Sequence, residues 1–149
     1  MLMGREAILG LIPHGEGMCL LDQITYWDAE RIVCRTATHR DPNNPLHDGD
    51  GLPALCALEY GAQAMAAHGA LLARSQGRSA PPGRLVSVRE ARFLAPRLDT
   101  FEDALEVEAR AGGSGAGPGA GFGGHAYHIT ISCGGALIAS ARLLVAAVA

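Results

Sequence analysis

Lysine is missing altogether: every one of the twelve basic side chains in this 149-residue chain is an arginine. Fifteen acids outnumber them, and the net charge of −3 excludes a general attraction to nucleic acid or to an anionic membrane surface. No stretch approaches the roughly 18 unbroken apolar residues that would mark a membrane span. The opening MLMGREAILGLIPHGEG carries acids and a proline where a secretory signal needs a long apolar run, so a cytoplasmic location is expected. The four cysteines, Cys19, Cys34, Cys56 and Cys133, lack CxxC spacing and each sits in an apolar run. Free thiols in a reducing compartment are therefore expected, with no disulfide, no metal site and no cofactor.

What is present is enough for one domain spanning 1–149. At 48% hydrophobic and 18% charged, the chain reads as globular and not disordered. Six arginines fall between Arg74 and Arg97, where Glu90 is the lone acid, making a basic segment on an acidic protein. Such a segment is either a solvated face or a landing place for an acidic partner.

REAILGLI (5–12) reads as a short amphipathic helix ended by Pro13. MCLLDQITYW (18–27) and RIVCRTATH (31–39) read as two strands joined by a turn at Asp28-Ala29-Glu30. A loop over 40–52 follows, and a nearly all-apolar helix then starts at Pro53 and runs to Ala73 or Arg74. Four strand-like stretches come after it, at 85–93, 104–111, 125–133 and 136–148. The run GGSGAGPGAGFGG (112–124) reads as a hairpin connection, because no helix follows its glycines as a phosphate loop would require. The order predicts an α+β architecture, an antiparallel β-sheet wrapped around one long central helix.

Chemistry concentrates at the loop and helix start. Glu59 is a single carboxylate on the apolar helix, a costly placement unless the charge is paired or used. His39 opens the loop that leads to it, and the two form a candidate acid/base pair. His47, beside Asp48 and Asp50, is the rival base. His14 and His68 read as structural hydrogen-bonders. His125 and His128, three apart in a strand, face opposite sides and do not make a simple metal pair.

Three stretches carry a family likeness. Ile12-Pro13-His14 with Met18-Cys19-Leu20-Leu21-Asp22, then Pro53 to Glu59 to Gln63, then Arg92-Phe93 with Pro96 follow one another in order over most of the chain. Together they resemble the hotdog-fold 3-hydroxyacyl-acyl-carrier-protein dehydratases of fatty acid synthesis, and most nearly their divergent branch, the dehydratases of aryl polyene pigment clusters. The resemblance implies a hydro-lyase that converts 3-hydroxyacyl thioesters to trans-2-enoyl thioesters. Its partners would be an acyl carrier protein bearing the phosphopantetheine-linked substrate, and a second subunit in a homodimer or in a heterodimer with a homologous dehydratase.

By the same resemblance His39 of one subunit is the base and Glu59 of the other the acid. A carboxyl kept from water favours its protonated form, which suits that role. Ala54, at the helix start, would offer an oxyanion-binding N–H, with Gln63 beside Glu59 at the substrate. Arg89 and Arg92 would receive the acidic carrier protein. Glutamate at 59, where isomerising relatives carry aspartate, implies dehydration without double-bond migration. The chain departs from the pattern in its longer 40–52 loop, in Ala54 where the family has glycine, and in Arg97-Leu98-Asp99 where a Pro-Gly-Asp turn is usual. An acyl thioesterase on the same fold, or a non-catalytic partner subunit, is the alternative.

Overall fold

The computed structural model describes residues 2–13, 15–79, 83–112 and 125–147. A two-residue strand β1 (Met3–Gly4) leads into helix α1 (Arg5–Leu9), and a 3-10 turn follows at Glu16–Met18. Strands β2 (Gln23–Trp27) and β3 (Arg31–Thr36) pair as a hairpin. The Asp28 carboxylate closes their turn by accepting from the N–H groups of Glu30 and Arg31, at 2.8 and 2.9 Å. A 3-10 turn at Thr38–Arg40 ends the hairpin, and another at Ala54–Cys56 feeds the long helix α2 (Ala57–Ser75). Strands β4 (Gly83–Phe93), β5 (Leu105–Ala111), β6 (His125–Cys133) and β7 (Ala136–Ala147) complete the described chain.

The described strands form one sheet in the order β1-β2-β3-β5-β6-β7-β4, with every neighbouring pair antiparallel. Alternation decides which face is buried. Leu105, Val107 and Ala109 of β5, Ile129 and Ile131 of β6, and Ala139, Ala141 and Leu143 of β7 all turn inward. They close on α2, whose Ala57, Tyr60, Ala64, Ala67 and Leu71 belong to the same core. No residue of α2 before Arg74 is fully exposed, which accounts for its lack of a polar face. Gly61 sets the approach of helix to sheet: a Cβ there would lie 2.2 Å from Cδ1 of Ile129. This is the hotdog arrangement that the sequence led us to expect.

Several boundaries differ from expectation, each for a local reason. β3 stops at Thr36 rather than reaching His39, because the Asp22 carboxylate accepts from the Ala37 N–H at 2.8 Å and pulls the chain out of the ladder. β2 begins at Gln23, since the backbone around 18–20 bonds to Gln63 instead of to a neighbouring strand. The helix at Pro53 opens as a 3-10 turn and becomes α-helical only at Ala57. α1 is shorter than REAILGLI, ending at Leu9 with Gly10 as its C-cap. The reading of His14 lies outside the described residues, as do 113–124 of the glycine-rich connection and the ring of His125. All four cysteines are free thiols, and burial pushes that of Cys34 up to about 12.

Candidate active site

His39 sits in the 3-10 turn after β3 and is 1% exposed. Its Nε2 lies 2.8 Å from the carbonyl oxygen of Phe101. A carbonyl only accepts, so Nε2 carries the proton and Nδ1 is left with a lone pair. That Nδ1 is buried and has no hydrogen-bond partner among the described residues. Burial, reinforced by the nearby Arg40 guanidinium, pushes the ring below the ordinary histidine value and keeps it neutral. An orphaned buried lone pair is the kind of group that a ligand completes.

Glu59 stands in the first turn of α2, half-buried rather than enclosed. Gln63, one turn on, donates to its Oε1 at 3.4 Å. Gln63 is itself fully buried: its Oε1 accepts from the Leu20 N–H at 2.8 Å and its Nε2 donates to the Met18 carbonyl at 2.7 Å. The amide placed at the substrate by the sequence reading thus ties α2 to the segment before β2 and bears on Glu59 from beneath.

Ala54 is likewise engaged. Its N–H donates to the Pro96 carbonyl at 2.9 Å, which removes it as a free oxyanion donor in this chain. Leu55, the next residue, lies in the first 3-10 turn, where N–H groups lack intrahelical acceptors, and it is exposed. The helix start is strapped to 96–99 by further bonds: Leu52 N–H to Asp99 Oδ1 and Leu98 N–H to the Leu52 carbonyl, both at 2.8 Å. Arg97 holds Asp99 in place with an ion pair of 2.6 Å and keeps its carboxyl well below the usual range. Gly51, at φ +138°, is the hinge of this strap, and a side chain there would overlap the Arg97 guanidinium. Beside it lies an apolar groove of about 530 Å³ lined by Pro53, Ala54, Leu55, Phe93, Leu94 and Pro96.

β4 forms one edge of the sheet among the described residues, opposite the two-residue β1. It leaves Leu85, Val86, Val88 and Phe93 exposed, an edge of the sort that another chain covers. Arg89 and Arg92 are exposed on this strand and have no acidic partner among the described residues. Arg89 faces Arg142, which faces His128, then Arg110, then Arg31, so one basic row crosses five strands. Like charges opposed in this way destabilise a sheet. They are offset in part by Glu108, at 2.7 Å from Arg31 and 3.7 Å from Arg110, and by Glu90 at 3.4 Å from Arg142.

The other histidines separate cleanly. His47 is half-buried on the loop, where its Nδ1 accepts from the Gly49 N–H at 3.2 Å. His68 is fully buried on α2; its Nε2 donates to the Asp28 carbonyl at 2.8 Å and its Nδ1 accepts from the Tyr127 hydroxyl at 2.6 Å. Sequence reasoning missed the Phe101 carbonyl and the hydrogen-bonded group of half-buried Thr38 with buried Asn44 and Tyr60 around the His39 turn. The one signal for the latter was a tyrosine directly after Glu59 in an otherwise apolar helix.

The family model described as ApeP-like, ApeP dehydratase, matches residues 6–148. Among the curated proteins none matches. Of the solved structures, the dehydratase heterocomplex ApeI:P from Xenorhabdus doucetiae aligns at 21% identity over 95% of this chain and 91% of that one, with a TM-score of 0.81. A putative thioesterase from Shewanella oneidensis is 16% identical over 97% and 94%, at a TM-score of 0.60. The E. coli PaaI protein from the phenylacetic acid degradation operon is 18% identical over 83% and 81%, at 0.52. At such identities the solved structures speak for the hotdog fold alone, whereas the family match covers nearly the whole sequence. The chain belongs to the ApeP-like dehydratase family.

Proposed function

We propose that this protein dehydrates 3-hydroxyacyl thioesters carried on an acyl carrier protein, in aryl polyene biosynthesis. The observation that carries the reading is the buried, unpartnered Nδ1 of His39 on a ring whose other nitrogen is held by Phe101. In the reaction His39 Nδ1 takes the proton α to the thioester carbonyl. The electron pair forms the C2–C3 double bond, and the C3–O bond breaks. Glu59 gives its proton to the departing hydroxyl, which leaves as water. The N–H of Leu55, an exposed residue in the turn that leads into the positive end of α2, suits the thioester oxygen as charge develops there, in place of the engaged Ala54.

A second subunit covers the edge of β4 and completes the site, bringing its own carboxylate to His39. Arg89 and Arg92 receive the acidic carrier protein. The assay is interconversion of 3-hydroxyacyl and trans-2-enoyl thioesters, with the protein alone and with a homologous dehydratase. If Glu59→Gln and His39→Ala both left full activity, the assignment would be wrong. Release of free thiol without enoyl product would point instead to thioester hydrolysis.

A second reading has its own support. The Ala54 N–H is closed off by Pro96, and the similar structure named ApeI:P is a heterocomplex. On this reading the chain is one half of a mixed dimer in which the homologue supplies the reacting groups. Activity that appears only with the homologue, and survives His39→Ala in this chain, would establish it.

A further inference from the structure

We propose that Tyr60 and Asn44 are positioning residues for His39, and that the long loop after His39 serves to deliver Asn44 to that task. The proposal rests on the reading of His39 as the base. The histidine's own element is weak: a single 3-10 turn, Thr38–Arg40, with no side-chain cap. Thr38 holds it. The Thr38 hydroxyl donates to the Leu20 carbonyl at 2.6 Å, so its oxygen accepts from the Tyr60 hydroxyl at 2.8 Å. The Thr38 carbonyl accepts from Nδ2 of Asn44 at 2.8 Å, and the same nitrogen donates to the Tyr60 oxygen at 3.1 Å. Oδ1 of Asn44 accepts from the Leu46 N–H at 2.9 Å, so the amide is engaged at both ends.

Burial shows that these contacts are specific. Asp41, Pro42, Asn43 and Pro45 are exposed, while Asn44 between them is buried. Tyr60 is fully buried on the helix, one residue from Glu59. A phenylalanine would fill its place without the cost of desolvating a hydroxyl, so the polar link is what the tyrosine adds. The chain of bonds runs on through the backbone of Leu20, whose carbonyl takes the Thr38 hydroxyl and whose N–H goes to Gln63 beneath Glu59. The turn that carries the base and the helix that carries the acid therefore share one rigid frame. With Phe101 fixing the far side of the ring, the clasp at Thr38 fixes its root, and a displacement of about 1 Å at a reacting group is enough to cost on the order of a hundredfold in rate.

Tyr60→Phe, Asn44→Ala, Thr38→Val and Thr38→Ser separate positioning from mere stability. Tyr60→Phe and Thr38→Val should lower kcat about tenfold or more with KM held within about twofold, and Thr38→Ser, which keeps the hydroxyl, should restore it. Ring nitrogen NMR of the wild-type protein should show one His39 tautomer, protonated at Nε2; in Tyr60→Phe and Asn44→Ala the two nitrogen shifts should move toward each other as the ring loosens. Folded variants with a lowered melting temperature but unchanged kcat and unchanged ring shifts would overturn the proposal. If the wild type shows no turnover, the proposed function fails, and the ring shifts alone still decide this inference.

Discussion

The carbonyl of Phe101 accepts the Nε2 proton of His39 at 2.8 Å, and that contact sets the state of the whole ring. It selects one tautomer and leaves Nδ1 as the basic atom; the contact itself favours the charged ring, but burial outweighs it and lowers the ring below the ordinary histidine value. A base that must be neutral to act then loses activity only below the ordinary histidine range. The acid limb of kcat/KM should bend below pH 6.5, the reference value from which burial lowers the ring. His39→Ala should reduce kcat by roughly 10²- to 10⁴-fold, the usual share of a general base. A limb centred well above pH 6.5 would mean that another group is being titrated.

The same burial links stability to pH. His39 and His68 are both lowered, chiefly by desolvation, from the reference value of 6.5. Above that pH neither state of the chain binds the extra proton, and the two rings add no pH dependence. As pH falls through 6.5 the unfolded chain takes protons that the folded chain refuses. Stability must then decline until the folded rings protonate as well. At His68 a proton on Nδ1 would meet the Tyr127 hydroxyl, which now donates to it. The urea midpoint should drop between about pH 6.5 and 5, and His68→Gln should flatten part of that slope. A midpoint independent of pH across this window would contradict the buried neutral state.

Gln63 illustrates a residue whose role lies in the frame. Its amide answers the Leu20 N–H and the Met18 carbonyl, both of which would be orphaned by Gln63→Leu. A buried group left unsatisfied costs about 1–3 kcal/mol. Equilibrium denaturation should show a loss in that range, with Glu59 less firmly oriented and kcat lowered. Unchanged stability would show that water reaches these groups.

Much of this molecule was legible in its sequence. The period-two strands after the loop, the apolar helix and its lone Glu59 suffice for the sheet-wrapped helix, because alternation and burial are local signals. The ends of elements were less legible. β3 stops where the Asp22 carboxylate, fourteen residues before Thr36, meets Ala37, a tertiary contact that no window around Thr36 contains. The partner of His39 was hidden for a similar reason: it is a backbone carbonyl 62 residues away, and carbonyls leave no trace in residue identity. Ala54 looked like an open N–H at a helix start, and only the fold brings the Pro96 carbonyl onto it.

Gly61 gives a test of how tightly helix and sheet are fitted. Helix propensity alone favours Gly61→Ala by about 1 kcal/mol. A Cβ, however, would lie 2.2 Å from Cδ1 and 3.0 Å from Cβ of Ile129, so rotating the end of that side chain does not relieve the clash. Overpacking of this kind costs about 1–3 kcal/mol. The substitution should be net destabilising, and Gly61→Ala combined with Ile129→Val should recover part of the loss. Stabilisation by Gly61→Ala alone would mean that α2 sits further from β6.

Arg89 and Arg92 offer the cleanest separation of docking from chemistry. Both are exposed on β4 without an acidic partner among the described residues, and Arg89 stands at one end of a basic row that is elsewhere partly neutralised. Arg89→Glu with Arg92→Glu should raise KM for a carrier-bound substrate about tenfold and weaken its dependence on salt, since exposed charges act mainly on encounter. The KM for the same acyl group on a small pantetheine thioester should stay within about twofold, and kcat should hold for both. Equal losses on the two substrates would place these arginines in the folding of the β4 edge and not at the carrier.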